Sequence, residues 1–577
     1  MKKSNNAKTS SWWQKVRKID RSTKILIIFA LILLVIKLIL TSWRTSYAIP
    51  NALSDDGLMQ KEAISLLNFH WLGHFDAFTL CKNNVFSFYL AILNFLGIPL
   101  LVGNEILFFV ATLMVVFLLK KYTKNAWILC FAFALIFMNP ASFASATSVR
   151  IYRDSIYQSI TMICISSIFY LLSNIANNKE FIKWLIIYSL VFVVFWFSRE
   201  ESIWILPIVI IISILISYHI GKNKKIEHKK RNISLVFIGP AIAVAMTGLG
   251  ISAINYFAYG VFTTTEDQLP AYKDFYASIN KIESDNRTDT IDFPKDLREK
   301  IYSVSPTFST IKENYEQQVF PSIKTLGDDP EEVNSGWTTW SIRYAMLNMG
   351  YYDNAKNAEA FYASTADEIN DACAAKTLDC SNKKPGILST LFSKIPQLLS
   401  ETVKNISYVY NFSDLAVKEH YASSDPRSIE QSESLTGENV FTTNVSEDGE
   451  KIENPSLTTT DAIKMKTLRL ILKMYQIITP ILSFISIPVL AASLIYKIRM
   501  KKKLTILYIA AAFLIAFLIR CLIVSYLNIT AFYATGDLYL YCAYPLLLSF
   551  IASSVVLAAK IIYDTIKEKK GLNEKED

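Results

Sequence analysis

The chain has 577 residues, of which 52% are hydrophobic, and it carries a formal net charge of +9. This hydrophobic fraction is high for a soluble enzyme and indicates a membrane protein with several spans. The excess of Lys and Arg does not indicate a nucleic-acid partner, because these residues stand in short clusters between apolar runs, where they set topology.

The N-terminal segment, residues 1–24, is basic and precedes the apolar run 25–40. This run is too long for the hydrophobic core of a signal peptide and has no A-x-A exit. The run is therefore predicted to remain as a membrane anchor, with residues 1–24 in the cytoplasm.

The first outer loop, residues 43–102, carries two adjacent acids, Asp55 and Asp56, at a predicted helix start. Apolar residues follow at helical spacing: Leu58, Ala63, Ile64, Leu66, Leu67 and Trp71. This pattern predicts a helix that lies along the bilayer surface. Both acids would then stand at the membrane boundary, where the headgroup of a lipid-linked substrate lies.

Ten apolar runs are long enough to cross a bilayer, at about 20 residues each. They are 25–42, 103–119, 126–143, 156–173, 183–198, 202–218, 233–256, 477–496, 504–526 and 539–563. The run 85–96 is shorter, and counting it as a span would place the basic clusters 120–124 and 222–231 outside. It is interpreted as a second interfacial helix, which keeps these clusters and both termini in the cytoplasm.

The runs predict an all-α polytopic protein with a mainly helical extracytoplasmic domain. Its parts are a membrane module at 25–256, the outer domain at 257–466, C-terminal membrane helices at 467–563 and a cytoplasmic tail at 564–577. Cys373 and Cys380 lie in the outer domain at a spacing that a loop disulfide can close. A structural bridge is preferred here to a redox or metal role.

Four groups of charged residues stand at the outer ends of spans, where each charge costs roughly a few kcal/mol. They are Asp55 and Asp56; Arg150, Arg153 and Asp154; Arg199, Glu200 and Glu201; and Arg520. Each group alone has an ordinary interpretation. These are, in order, a helix cap, a local ion pair, a solvated turn and an arginine that reaches for the interface.

Taken together, the four groups deliver carboxylates and guanidinium groups to one side of the bilayer, and Lys82 adds a further cation. Arginine holds phosphate oxygens in pairs. A carboxylate accepts a proton from an attacking hydroxyl or holds a divalent cation against a phosphate. The combination therefore predicts a site for a phosphate-bearing substrate.

Two further patterns have a functional and an ordinary interpretation. His70 and His74 are four residues apart, but Gly73 weakens a helix between them, and interfacial side chains are preferred to metal ligands. Trp337 and Trp340 offer faces for stacking on a sugar, with packing inside the outer domain as the preferred alternative.

Paired acids after the first span, interfacial helices, a second acidic motif before the fourth span and a terminal span reading YLYCAYPLLL resemble the GT-C superfamily of membrane glycosyltransferases. That group includes protein O-mannosyltransferases, lipid A aminoarabinose transferases and oligosaccharyltransferases. TLCKNNVFSFYLAILNFLGIP, RIYRDSIY, SREESIWILP and FYASTADEINDAC look closer still to a set of bacterial membrane proteins near that superfamily. In that set the second motif reads Arg-Glu, whereas here it is Arg153-Asp154.

The resemblance implies transfer of a sugar, with inversion, from a polyprenyl-phosphate carrier to a cell-envelope glycan, lipid or protein on the outer face. Asp55 or Asp56 is similar to the first-loop acid that acts as base or metal ligand, and Asp154 to the second acid. The donor phosphate would be bound by the basic residues Arg150, Arg153, Arg199, Arg520 and Lys82, supported by Glu200 and Glu201. The resemblance also allows a divalent cation at this site, which Asp55, Asp56 and Asp154 would hold.

Two other functions remain open at this point. A polymerase or ligase of lipid-linked glycans would also have many spans and one large outer loop, and would depend on arginines more than on paired acids. A transporter of lipid-linked glycans is ranked last, because transporters place charges near the midplane and show internal repeats.

Overall fold

The computed structural model describes residues 20–49, 54–324, 331–381, 394–418, 429–440, 459–500, 505–531 and 534–569. Within these ranges the ordered secondary structure is helical, apart from three isolated β-bridges. The predicted all-α polytopic fold is confirmed. The predicted cytoplasmic segments 1–24 and 564–577 lie largely outside the described residues.

The helices of eight or more residues are numbered in chain order. They are α1 (Arg21–Thr41), α2 (Asp56–Leu67), α3 (Val85–Phe95), α4 (Leu100–Lys120), α5 (Ala126–Phe137), α6 (Asp154–Ser173), α7 (Asn178–Trp196), α8 (Leu206–Lys222), α9 (Lys229–Tyr259), α10 (Pro270–Lys281), α11 (Lys295–Val304), α12 (Ser335–Asn348), α13 (Ala355–Ala374), α14 (Ile395–Asn411), α15 (Ile429–Thr436), α16 (Thr459–Met500), α17 (Thr505–Thr530) and α18 (Ala543–Lys569). Shorter helical turns are Ala141–Ala144, Ala146–Val149, Glu200–Ile205, Glu266–Gln268, Pro306–Ser309, Lys312–Asn314, Tyr315–Val319, Phe320–Ile323 and Asp537–Leu540.

Among the described residues, nine helical stretches are long and apolar enough to cross a membrane, each built on one of α1, α4, α5, α6, α8, α9, α16, α17 and α18. α7 has a similar length but begins with charged residues. α7 packs along α6, and Arg199 just after α7 is paired with Asp154 at the start of α6, so the end of α7 lies beside the start of α6. The predicted span 183–198 falls on α7, which is not one of these nine stretches.

The helix α3 corresponds to the ambiguous run 85–96. It has 11 residues, a length of about 16 Å, which is too short to cross the hydrocarbon core. Phe88, Ile92 and Phe95 on one face are 39%, 55% and 81% exposed, so this face is available to lipid. These features match the predicted interfacial helix.

The described part of the chain has two main hydrophobic cores. One core joins the membrane helices, and α14 and α15 pack against it. The second core is formed by α10 to α13 together with Leu58, Ala77 and Phe78 of the first outer loop. A disulfide joins Cys373 and Cys380, as predicted, with a Cα–Cα distance of 5.6 Å. The range 257–466 thus holds both this second core and helices that belong to the first.

A buried ion pair that the sequence reasoning missed fixes the approach to the charged segment 150–154. Lys37 of α1 lies 2.7 Å from Glu105 of α4, and both side chains are almost fully buried. The Lys37 ammonium also donates to Ser142 Oγ at 2.7 Å. Since charges inside a membrane protein must be paired, this contact holds the turn Ala141–Ala144 against α1.

The first outer loop is held by a second buried acid. Glu62 of α2 accepts hydrogen bonds from Asn84 Nδ2 at 3.0 Å and from Ser87 Oγ at 2.7 Å, which joins α2 to the start of α3. Burial raises the pKa of Glu62 to about 8. Burial thus favours the protonated, neutral form of this side chain in the folded protein.

We predict that Glu62→Gln stabilises the protein more at pH 8 than at pH 5. The unfolded chain loses the Glu62 proton near its ordinary pKa of 4.5, whereas the folded chain keeps it to about pH 8. The unfolded state therefore binds fewer protons in this window, and wild-type stability falls as pH rises. The check is the thermal midpoint in detergent across this range, with the exposed Glu313→Gln as control. A midpoint difference that does not change with pH contradicts the prediction.

Candidate active site

Asp55 stands at the N-cap position of α2, but its side chain makes no capping hydrogen bond. Instead its carboxylate pairs with the Lys82 ammonium and accepts a hydrogen bond from the Tyr152 hydroxyl at 2.9 Å. The Asp55 side chain is 31% exposed. The ordinary interpretation as a helix cap therefore does not describe Asp55, which belongs to a charged contact across two loops.

Asp56 has a different environment although it is the next residue. Its carboxylate is fully buried and holds Arg150 through two guanidinium nitrogens, at 2.6 to 3.1 Å. It also accepts the backbone N–H of Ile49 at 2.8 Å. This bidentate pair joins the start of α2 to the segment that precedes α6. Its enclosure favours a structural role for Asp56.

Arg153 and Asp154 do not pair with each other. Arg153 holds Glu200 at 2.7 Å, and Asp154 is paired with Arg199, so both contacts link the start of α6 to the segment after α7. Both arginines are almost completely buried, whereas the Glu200 side chain is 36% exposed. Arg153 and Asp154 therefore do not form a local ion pair, and the segment after α7 is not a solvated turn. Instead, the two contacts cross-link this segment to the start of α6.

Arg520 of α17 is 1% exposed and does not reach for solvent. Its Nε donates to the Tyr539 carbonyl at 2.9 Å, and its Nη1 lies 3.5 Å from Glu201. Glu201 in turn lies 2.5 Å from Arg199 Nε. Arg520 is thereby the far end of the same network of charges.

Tyr152 connects the two halves of this network. Its hydroxyl contacts both Asp55 and Lys82, and the guanidinium carbons of Arg150 and Arg153 lie 4.6 and 5.6 Å from its ring centre. The ten predicted charged residues thus form two sets of contacts that meet where Arg153 adjoins Asp154 and Glu200 lies between Arg199 and Glu201, and we call them together the charged cluster. Its members are Asp55, Asp56, Lys82, Arg150, Arg153, Asp154, Arg199, Glu200, Glu201 and Arg520.

The pKa shifts in the charged cluster follow from burial and pairing. Burial, reinforced by the charge of Arg153, lowers the pKa of Lys82 well below its ordinary value. Burial acts in the same direction on Arg153, but the Glu200 carboxylate outweighs it and raises the pKa of Arg153. The arginine therefore stays charged at all physiological pH values, and the lysine is the cation most easily lost.

An apolar cavity of about 660 Å³ lies next to the charged cluster. It is walled by α3, α6, α7 and α9, through Val85, Phe88, Ile92, Ile156, Ile160, Val193, Val194, Phe197, Thr247, Ile251 and Ile254. Three of its lining residues stand next to members of the cluster in the sequence. Asn83 follows Lys82, Ile156 is two residues after Asp154, and Phe197 is two residues before Arg199. Within the cluster, Arg153 Nε and Asp154 Oδ2 are buried and have no hydrogen-bond partner among the described residues.

The carboxylates of the charged cluster do not fit a metal site. Among the described residues no three His, Cys, Asp or Glu side chains are grouped so that they could hold an ion, and this includes His70 and His74. The three acids proposed as ligands, Asp55, Asp56 and Asp154, are each paired with a different cation. A divalent ion would have to displace three basic groups, so no step is assigned to one.

Three residues near the charged cluster were missed by sequence reasoning. Tyr152 stood inside the quoted motif RIYRDSIY without a role. Asp414 lies in the loop after α14 and Asp537 begins the turn Asp537–Leu540, and only the fold shows that they are close. Trp337 and Trp340 are partly buried against the outer-domain core, as the preferred interpretation expected. The Trp340 ring nevertheless lies 5.8 Å from the Lys82 ammonium, so α12 reaches the cluster.

Comparison with known proteins gives weak structural matches only. No family model and no curated protein matches the sequence. Among solved structures, ArnT from Cupriavidus metallidurans in the apo state has 8% identity and a TM-score of 0.32, covering 94% of this chain and 78% of that one. The apo oligosaccharyltransferase of Archaeoglobus fulgidus has 14% identity and a TM-score of 0.40, covering 97% of this chain.

A third structure is that of AglB from Archaeoglobus fulgidus with an inhibitory peptide and a dolichol-phosphate, at 13% identity and a TM-score of 0.37 over 96% of this chain. The chain spans about half of the length of the two archaeal chains, 53% and 52%. Similarity at this level leaves the reaction to be judged from the site itself.

We predict opposite stability effects for the same substitution at two adjacent residues. Asp56→Asn leaves Arg150 buried without its carboxylate and should lower the free energy of unfolding by about 3–5 kcal/mol. Asp55→Asn, in a partly exposed pair, should change it by less than about 1 kcal/mol. Thermal unfolding of both variants in detergent checks this, and equal losses for the two would contradict the assignment of Asp56 as structural.

Proposed function

We propose that this protein is a membrane glycosyltransferase that moves a sugar from a polyprenyl-phosphate carrier to an acceptor on the outer face of the membrane. The observation that carries this proposal is the apolar cavity, three of whose lining residues, Asn83, Ile156 and Phe197, stand within two residues of members of the charged cluster. A lipid phosphate needs such a pair of environments side by side, an apolar one for the chain and a cationic one for the headgroup.

The cavity is open to a lipid chain on chemical and geometric grounds. Its lining is almost entirely apolar, and α9, one of its walls, is largely exposed in the structure, as is expected of a helix that faces lipid. The exposed face of α3 lies beside it. A polyprenyl chain could therefore enter laterally from the outer leaflet with its phosphate directed to Lys82 and Arg153.

The donor phosphate has to replace carboxylates that already occupy these cations. Asp55 on Lys82 and Glu200 on Arg153 are the exposed partners, at 31% and 36%, whereas Asp56 and Asp154 are enclosed. We infer that phosphate binding displaces Asp55 and Glu200 and leaves the two buried pairs in place. The buried pairs then serve as the rigid frame of the site.

Displacement of Asp55 gives it a chemical role. The freed carboxylate accepts the proton of an acceptor hydroxyl as that oxygen attacks the anomeric carbon. The bond between the anomeric carbon and the phosphate oxygen breaks, and the configuration inverts. Arg153 and Lys82 stabilise the charge that grows on the phosphate, which is acidic enough to leave without a proton.

The proposed outward orientation follows from the basic residues at the opposite ends of the helices. Lys120 ends α4, Lys222 ends α8, and Arg231 lies in the first turn of α9, all at the ends away from the charged cluster. Basic clusters stay in the cytoplasm. The charged cluster would then face outside, with both termini in the cytoplasm.

We predict opposite effects of two substitutions on the binding of undecaprenyl phosphate by the protein in lipid nanodiscs. Arg153→Gln removes a charge-assisted contact and should weaken binding about ten- to hundredfold. Glu200→Gln removes the carboxylate that competes for Arg153 and should tighten it. Arg231→Gln, at the cytoplasmic end, is the control. Weaker binding in Glu200→Gln than in wild type would exclude the displacement step.

We predict that Asp55→Asn abolishes sugar transfer while undecaprenyl phosphate still binds, because the amide cannot take the proton. The measurement is transfer of labelled sugar from polyprenyl-phosphate hexoses, alongside the binding assay. Full transfer by Asp55→Asn would instead favour the arginine-dependent alternative, a polymerase or ligase of lipid-linked glycans.

A further inference from the structure

Two acids outside the charged cluster lie at its edge. Asp537 begins a short turn before α18, and its Oδ2 accepts the backbone N–H of Thr147 at 3.4 Å, three residues before Arg150. Asp537 also interacts electrostatically with Asp154. This side of the site is built from the turn Ala146–Val149 and the start of α18, whereas the lipid cavity is walled by α3, α6, α7 and α9.

Asp414 is brought to the same place by the loop after α14. Its Oδ2 lies 4.0 Å from the position that a side chain on Gly536 would take. Gly536 has a φ of +150°, which only glycine adopts readily, so the loop can bring Asp537 close to Asp414. Asp414 Oδ2 is buried and has no hydrogen-bond partner among the described residues.

A buried tyrosine lies near the two acids: the ring of Tyr544 is 4.8 Å from that of Phe412, two residues before Asp414. Tyr544 of α18 is fully buried, and its hydroxyl lies within electrostatic reach of both Asp414 and Asp537. That hydroxyl also has no hydrogen-bond partner among the described residues. A buried polar group without a partner loses roughly 1–3 kcal/mol, so polar groups at this depth normally have one. We therefore expect a bound ligand to supply the hydrogen-bond partner of the Tyr544 hydroxyl.

The ordinary role of Asp537 explains only part of this arrangement. One of its oxygens caps the turn Ala146–Val149, but capping needs neither Asp414 nor the Tyr544 hydroxyl. In the ranges that the structure describes, neither acid takes part in an ion pair, in contrast to Asp55 and Asp154 of the charged cluster. Two unpaired carboxylates side by side repel each other, which costs stability unless something donates to them.

We propose that Asp414, Asp537 and the Tyr544 hydroxyl form the acceptor subsite, which binds the hydroxyl groups of a polyhydroxylated acceptor such as a sugar residue. A carboxylate accepts hydrogen bonds only, and sugar hydroxyls supply donors at the required density. The subsite rests on the proposed function. It assigns the acceptor to the side of the site formed by α14 and α18 and leaves the cationic side to the donor phosphate.

The state of Asp414 agrees with this subsite. Burial, with the neighbouring charge of Asp537, raises the pKa of Asp414 to about 6. Hydrogen bonds from acceptor hydroxyls favour the charged form of both acids, so they offset the repulsion between them. An acceptor that lacks hydroxyls at these positions would leave the carboxylates unsatisfied and should bind poorly.

The test uses the full-length protein in nanodiscs with a polyprenyl-phosphate hexose as donor and a set of octyl hexosides as acceptors. Three quantities are measured: undecaprenyl phosphate binding, transfer to the octyl hexoside and hydrolysis of the donor by water. The variants are Asp414→Asn, Asp537→Asn and the double variant, with the exposed outer-domain residue Asp274→Asn as control. Because Asp537 also caps a turn, Asp414→Asn carries the test if Asp537→Asn does not fold.

We expect Asp414→Asn to raise the KM for the octyl hexoside at least tenfold, with hydrolysis and undecaprenyl phosphate binding within twofold of wild type. Unchanged transfer in Asp414→Asn and in the double variant overturns the acceptor subsite and leaves the proposed function intact. Hydrolysis by wild type without transfer to any octyl hexoside overturns the polyhydroxylated acceptor. Wild type that neither binds undecaprenyl phosphate nor releases sugar overturns the proposed function and the subsite together.

Discussion

The site depends on one constraint: a charge at the boundary between protein and hydrocarbon must find a partner of opposite sign. Five separate segments of this chain deliver charges to that boundary, and each charge is paired across segments. Asp56 with Arg150 joins α2 to the approach to α6, and Asp154 with Arg199 joins α6 to the end of α7. Because breaking such a buried pair costs several kcal/mol, the pairs hold the first loop and the helix ends in register.

The need to pair every charge also determines how the proposed site would bind a phosphate, because its basic side chains are already paired with carboxylates when no substrate is present. The charged cluster contains five basic and five acidic side chains, so without substrate it is neutral. Its buried pairs are permanent, but its two exposed carboxylates are positioned where a second anion can replace them, beside the apolar cavity. In the proposed mechanism these carboxylates hold the place of the phosphate, and the lipid chain would supply the apolar contacts that make the exchange favourable.

Much of this arrangement was accessible from sequence because it follows from local patterns. Apolar runs predicted the spans, and the unusual position of Asp55, Arg153 and Arg199 at span ends predicted that they meet. The partners were not predictable, because adjacent residues choose different ones: Arg153 takes Glu200 while Asp154 takes Arg199. Lys37 and Glu105 escaped notice because each lies alone in an apolar run, and a pair across helices leaves no signal in either.

The exchange of partners also orders the events at the site. Lys82 holds Asp55 as an anion, which makes the carboxylate a poor base. In the proposed mechanism Asp55 would become a base only when a phosphate takes the lysine. The Tyr152 hydroxyl touches both Asp55 and Lys82, so it lies at the point where this exchange is proposed. Base activation would thus require a bound donor, so an acceptor hydroxyl would not be deprotonated in a site without a sugar to transfer.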